Sequence, residues 1–193
     1  MYFETERLLL RPWRESDAAD LYEYARDPRV GPPAGWPPHT SPENSREIIL
    51  NVLSAPGTFA VVPKETGRPA GSVGLMTGAA SNLQIGSREG EIGYWIGVPF
   101  WGRGLIPEAV RELLRYGFVE LGLEKIWCGY FEGNEKSRRV QEKCGFLYHH
   151  TNENIRWALM NDIRTEHISC LTRERFLAEC RPRCTGDCRL SDS

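Results

Sequence analysis

Residues 91 to 118 read EIGYWIGVPFWGRGLIPEAVRELLRYGF: an apolar strand, a glycine-rich turn and an amphipathic helix in one run. The turn sets Gly102 and Gly104 just ahead of Pro107. Proline suits the first position of a helix, because the N–H it lacks would be unpaired there, so the helix is expected to open on Pro107. Behind it Val110, Leu113, Leu114, Gly117, Phe118 and Leu121 recur on one helical face. Gly122 can stop the helix in a left-handed conformation without steric cost. Glycines that let backbone approach closely, followed by the positive end of a helix, make a site for a phosphorylated ligand.

Outward from this unit, RLLLRPW (7–13) reads as a first strand ending near Pro12. Asp17 can cap a helix reaching about Arg26. The segment 31–42, GPPAGWPPHTSP, holds five prolines and two glycines and is a stiff connection rather than helix or central strand. Within it, Trp36 suits either the edge of the core or the wall of a substrate pocket. Ser41–Pro42 opens a second helix with Ser45, Ile48, Ile49, Val52 and Leu53 on one face. Strands at 58–64 and 67–78 pair as a hairpin through Glu65–Pro69. Residues 79–90 are a polar loop, 91–98 and 125–131 are strands, and Asn134 caps a helix closed by Cys144–Gly145. Two more strands follow at 146–160 and 165–172, then a short helix at 173–180.

This order implies an α+β (mixed α/β) domain over 1–180 with a disordered tail at 181–193. Strand, helix and strand from Glu91 to Phe131 should form a parallel pair with a right-handed crossover.

Lys and Arg total 24 against 26 Asp and Glu, so bulk charge gives no reason to expect a nucleic-acid partner. No apolar run reaches the ~20 residues of a membrane helix, and MYFETERLLLRPW is acidic where a signal peptide is basic. A cytoplasmic location with reduced thiols is the expectation. Cys128, Cys144 and Cys170 sit singly in apolar patterns, as small buried hydrophobes do. Cys180, Cys184 and Cys188 lack a clear fourth ligand, so no metal is expected. Neighbouring His149 and His150 should face opposite sides of a strand and are read as surface residues.

Phosphate-binding patterns divide on spacing. A Walker-type loop needs Lys–Ser/Thr after its last glycine, and Leu105–Ile106 stands there instead. A dinucleotide fingerprint needs a third glycine and an acidic residue on the next strand; here position 107 is proline and the strand carries Lys125. Both fail, and the flanks decide.

ETERLLLRPW (4–13), EIGYWIGVPFWGRGLIPEAV, GNEKSRRVQEKCGF (133–146) and RWALMNDIRTEHISCLTRERF (156–176) follow one another in that order. Together they resemble the GNAT acetyltransferases, in the branch of the ribosomal-protein alanine N-acetyltransferases. The resemblance implies the GNAT fold: a mostly antiparallel twisted sheet with one splayed parallel strand pair and flanking helices. It implies acetyl-CoA as cosubstrate, its pyrophosphate on the amides of Trp101, Gly102, Arg103, Gly104, Leu105 and Ile106, with the Arg103 cation beside it. The pantetheine arm would run along Ile96, Gly97 and Val98, one of whose N–H groups would polarise the thioester carbonyl.

The family's Q/R-x-x-G-x-G/A pattern is departed from at both ends, by Trp101 and Ile106. The Ile106 side chain must then point away from the phosphates, and Pro107 removes a further donor. The resemblance also implies direct attack of an amine on the thioester, needing a base and an acid. Ser137 is the candidate donor to the departing sulfur and Asn134 the holder of the pantetheine arm; a cap and a first-turn residue would explain the same spacing. Glu91, and after it His39, are the candidate bases. Tyr130 and Phe131 are read as core packing in preference to a place on the border of the acetyl pocket. The acceptor is a protein N-terminus or a small-molecule amine, with no nucleic acid and no membrane involved; oligomeric state has no signal, so a homodimer stays open. The rival reading is a GNAT-like module that binds acyl-CoA without catalysis.

Overall fold

In the computed structural model, which describes residues 1–180, the hairpin read at 58–78 sits at the heart of the sheet. It comprises β3 (Thr58–Pro63) and β4 (Gly71–Thr77). Along β3, Phe59 and Val61 enter one apolar cluster while Ala60 and Val62 enter another on the opposite face. A strand covered on both faces reads as a continuous apolar run rather than an alternation, and that is the pattern of TFAVV.

Around it lie β1 (Phe3–Glu4), β2 (Leu8–Arg11), β5 (Glu89–Ile96), β6 (Lys125–Phe131), β7 (Leu147–Trp157) and β8 (Asp162–Thr172). The sheet order is β1-β2-β3-β4-β5-β6-β8-β7. Every neighbouring pair is antiparallel except β5 and β6, which run parallel. Those two are in register only from Glu89–Lys125 to Glu91–Trp127. Beyond Glu91 they part, and the opening between them is where the cleft forms. The expected mostly antiparallel sheet with one splayed parallel pair is therefore what the chain builds.

Among the described residues five α-helices flank the sheet: α1 (Ala18–Ala25), α2 (Pro42–Ile48), α3 (Leu105–Arg115), α4 (Glu135–Lys143) and α5 (Arg173–Cys180). α3 buries Val110, Leu113 and Leu114 completely, with Phe118 just beyond it, in the larger cluster. α1 and the chain after α2 contribute Leu21, Ala25 and Ile49 to the smaller one. Gly122 ends the α3 region at φ 66 as its sequence position suggested.

Several local features depart from what the sequence leads one to expect. α3 begins at Leu105, capped by Gly104 at φ 75, so Pro107 is its third residue and not its first. The position is still tolerated, because none of the first four N–H groups has an intrahelical acceptor. Asp17 does not cap α1. Its carboxylate takes a two-pronged ion pair from Arg11, at 2.7 and 2.9 Å, and the Arg14 N–H at 2.9 Å, closing the turn ahead of the helix. Leu121 and Val52 are 46% and 54% exposed because π-helical turns at Tyr116–Glu120 and Ile49–Leu53 rotate the helical face. His149 and His150 are exposed as read, but a bulge between Tyr148 and His150 brings their Nδ1 atoms within 2.8 Å, so the opposite-face argument does not hold for them. The tail expected for 181–193, with Cys184 and Cys188, lies outside the described residues.

Candidate active site

The turn after β5 is a run of amide donors with its carbonyls turned away. Gly102 and Gly104 take φ 74 and 75, a conformation a β-carbon resists. The N–H groups of Phe100 and Trp101 return to the carbonyls of Gly97 and Val98 at 3.0 and 3.1 Å, so Trp101 has no amide to offer. Among the described residues, those of Gly102, Arg103, Gly104, Leu105 and Ile106 have no partner. Arg7 explains the orientation: its Nη1 donates to the Arg103 carbonyl at 2.8 Å and its Nη2 to the Gly104 carbonyl at 3.3 Å. Glu108, in the first turn of α3, fixes Arg7 through its backbone N–H (2.8 Å) and Nε (2.7 Å), and also accepts Thr5 Oγ1–H. Ile106 is buried in the core, which keeps its branched side chain off the amides.

A cleft of about 610 Å³ runs from these amides into the opening between β5 and β6. Ile92, Tyr94 and Ile96 line one side; Gly129, Tyr130 and Phe131 line the other. Lys136, Arg139 and Lys143 of α4 border it, and Lys136 Nζ stands 4.2 Å over the Trp101 ring. An anion at the amides would thus meet both a helix N-terminus and a basic helix face. Pro33 and Ala34 form part of the wall, whereas Trp36 packs on Trp95 at the edge of the smaller cluster. The Pro-rich segment therefore serves both purposes, through different residues. Tyr130 and Phe131 both line the cleft, and Phe131 is at the same time buried.

Ser137 lines the cleft from the first turn of α4. Its Oγ is 3.0 Å from the Tyr94 hydroxyl, which also donates to the Ser137 carbonyl at 3.1 Å. Burial, with Cys128 adjacent, pushes the Tyr94 phenol well above its ordinary range, so it stays protonated. Both ends of the Asn134 amide are engaged: Oδ1 accepts the Ser137 N–H at 3.2 Å and Nδ2 donates to the Pro33 carbonyl at 3.0 Å. Asn134 is thus a helix cap that also ties the Pro-rich loop to the cleft.

Of the expected site residues, the cleft collects Glu91, Ile96, Trp101, Gly102, Gly104, Leu105, Ile106, Asn134 and Ser137. Four are placed elsewhere. His39 is half-buried with Nδ1 2.8 Å from Ser45 Oγ, and burial lowers its pKa. Gly97 spends its N–H on the Ala70 carbonyl at 2.8 Å, and Val98 opens a turn of 3₁₀ helix. The Arg103 side chain turns to Glu65, Nη2 to Oε2 at 2.8 Å. Glu91 directs Oε2 at the loop that lines the cleft through Asn82 and Leu83, accepting Ser81 Oγ–H and the Asn82 N–H, both at 2.7 Å.

Glu166 of β8 was not singled out in the sequence, nor was Tyr94. Glu166 lines the cleft, and burial, reinforced by the nearby Glu91 charge, raises its carboxyl to about 7. A lone acid within RTEHISC gives no sign of which sheet face it takes. Among the described residues no group of three or more His, Cys, Asp or Glu is placed to hold a metal, and no helix is long and apolar enough to cross a membrane.

Residues 7–147 match the family model described as an acetyltransferase (GNAT) domain. The uncharacterised N-acetyltransferase p20 of Bacillus licheniformis is 35% identical over 127 residues, which is 63% of this chain and 68% of p20. YdaF of Bacillus subtilis (strain 168), whose name carries a provisional ribosomal N-acetyltransferase assignment, is 48% identical over 66 residues, 34% of this chain and 36% of YdaF. An acetyltransferase (GNAT family) from Bacillus anthracis superposes with a TM-score of 0.78 at 24% identity, covering 90% of this chain and 99% of its own, a likeness of fold.

Proposed function

Because the chain belongs to the GNAT acetyltransferase family, we propose that it is an N-acetyltransferase moving the acetyl group of acetyl-CoA to a primary amine by direct attack in a ternary complex. The observation that carries this reading is the row of five partnerless amides from Gly102 to Ile106, with their carbonyls held away by Arg7. Such a row at the start of α3 suits a pyrophosphate. In this reading Gly102–Ile106 hold the pyrophosphate, the basic face of α4 faces the charged end of CoA, and the splayed strand end beyond Glu91 receives the pantetheine arm. Acetyl-CoA supplies the activated acyl group; the chain's residues orient it and move protons.

The acid of the reaction in this account is Ser137. Its Oγ lies in the cleft and already shares a hydrogen bond with Tyr94, whose phenol keeps its proton at neutral pH. As the carbon–sulfur bond breaks, Ser137 Oγ–H donates to the sulfur and Tyr94 supports the hydroxyl from behind. A cytosolic location belongs to the same reading, supported by the buried free thiols of Cys128 and Cys144.

Acceptor class is tested by a screen with acetyl-CoA read by thiol release. Alanine- and serine-starting peptides are compared with small alkylamines. Turnover confined to peptides assigns a protein N-terminus as acceptor; turnover confined to alkylamines assigns a small molecule. Turnover with neither overturns the reading.

A further inference from the structure

Four carboxylates stand on β5 and β8, the strands on either side of β6, and three are already engaged. Glu89 accepts the Trp127 indole N–H at 2.9 Å and lies 3.6 Å from Lys125. Glu91 Oε2 holds the loop at Ser81–Leu83 through three donors. Asp162 is paired with Arg164. Glu166 alone among these has no hydrogen-bond partner among the described residues, yet it lines the cleft.

Its position is built by register. Glu166 stands opposite Phe131 on β6 and Asn152 on β7. The side chain reaches back across the sheet so that a β-carbon at position 129 would stand 2.5 Å from its Oε1. Only glycine at 129 admits the carboxylate there. Position 129 lies two residues past the last parallel pair, Glu91–Trp127, so the carboxylate sits in the opening where the two strands part.

We propose, resting on the acetyltransferase reading above, that Glu166 is the catalytic base that takes a proton from the acceptor's ammonium, and that Gly129 keeps its place clear. The ammonium loses one proton to the Glu166 carboxylate. The freed lone pair forms the carbon–nitrogen bond at the thioester carbonyl, the carbon–sulfur bond breaks, and the second nitrogen-bound proton leaves to the sulfur by way of Ser137. The Glu166 proton then passes to water, and the net products are an amide, CoA thiol and one proton.

The surroundings suit this task. The charged group facing Glu166 from β5 is Glu91. Gly129 and Phe131 on β6 and Asn152 on β7 carry no charge. Arg164, two residues back on β8, is committed to Asp162 and the Pro32 carbonyl, and His167 turns to Thr151 and Tyr130. A carboxyl that titrates near neutrality is matched to proton removal at working pH. The same acid pair selects acceptors that arrive as cations, which makes the substrate class a protonated aliphatic amine.

The test is the pH dependence of kcat/KM for acetyl-CoA with an alanine-starting peptide, a serine-starting peptide and n-butylamine, in wild type, Glu166→Gln and Gly129→Ala. Acetyl-CoA affinity is measured alongside by calorimetry. Wild type is expected to gain activity through an acidic limb centred near 7. Glu166→Gln should lose about 10²–10⁴-fold at pH 7.5, recover toward the amine's own pKa, and bind acetyl-CoA as wild type does. Gly129→Ala, which keeps the carboxylate but displaces it, should lose activity in the same direction. A Glu166→Gln enzyme within twofold of wild type and with the same acidic limb overturns the assignment while leaving the acetyltransferase intact. A wild type that binds no acetyl-CoA overturns both.

Discussion

Arg7 and Glu108 meet at 2.7 Å across more than half the sequence, and the same guanidinium holds the carbonyls of Arg103 and Gly104. The residue just ahead of β2 thereby sets the direction of the amides on the central turn. Arg7→Ala should weaken acetyl-CoA binding roughly tenfold, about 1.4 kcal/mol. The ion pair itself is half open to solvent on the Arg7 side, so thermal stability should fall by no more than about 1 kcal/mol. Calorimetric titration and a melting curve separate the two effects.

Gly102 offers a cleaner probe of the same turn. At φ 74 with nothing within 4 Å of a built β-carbon, it can be replaced without a clash, so any effect is conformational. Gly102→Ala should cost about 1–2 kcal/mol, shared between stability and acetyl-CoA affinity. Unchanged affinity and unchanged melting temperature would show that the turn tolerates another conformation.

Ser137 and Tyr94 should separate by kinetics. Ser137→Ala removes the proposed proton donor and is expected to lower kcat about tenfold to a hundredfold with little change in KM for acetyl-CoA. Tyr94→Phe leaves the serine in place but unsupported, so a smaller loss of several-fold is expected. If Ser137 were only a first-turn helix residue, its alanine variant would shift stability by less than about 0.5 kcal/mol and leave kcat alone.

Glu166 makes stability depend on pH with a definite sign. Its folded pKa, about 7, lies above the ordinary 4.5, so the native state holds this proton more tightly than the unfolded chain does. The stability this group contributes is complete below about 4.5 and is lost as pH rises through 7. Glu166→Gln retains the neutral form throughout. It should melt a few degrees above wild type at pH 8.5 and close to wild type at pH 5. An equal difference at both pH values would contradict the shifted titration.

Much of this was legible in the sequence because it obeys local rules. The strand–turn–helix unit, the Ser41 and Asn134 caps and the left-handed stops at Gly122 and Gly145 all follow from residue chemistry within one or two turns. What escaped depends on relationships between distant segments. Pro107 moved to the third helical position because Gly104 already supplies the cap. The π-turns near Val52 and Tyr116 rotate faces that a 3.6-residue period keeps fixed. The Arg103 side chain turned from the amide row to Glu65, on the hairpin loop, and His39 was drawn to Ser45. Glu166 became visible only when its register opposite Phe131 let its side chain reach across to Gly129.

The proposed chemistry of this cleft is direct passage of an acetyl group from acetyl-CoA to an amine. Thiol release from acetyl-CoA, measured with and without an acceptor amine and followed by mass analysis of both amine and protein, tests it most directly. Release should require the amine, match an equal amount of N-acetylated amine, and leave a protein that never carries the acetyl group. Tight acetyl-CoA binding with no amine-dependent release from any acceptor would contradict it and make the chain an acyl-CoA-binding module instead.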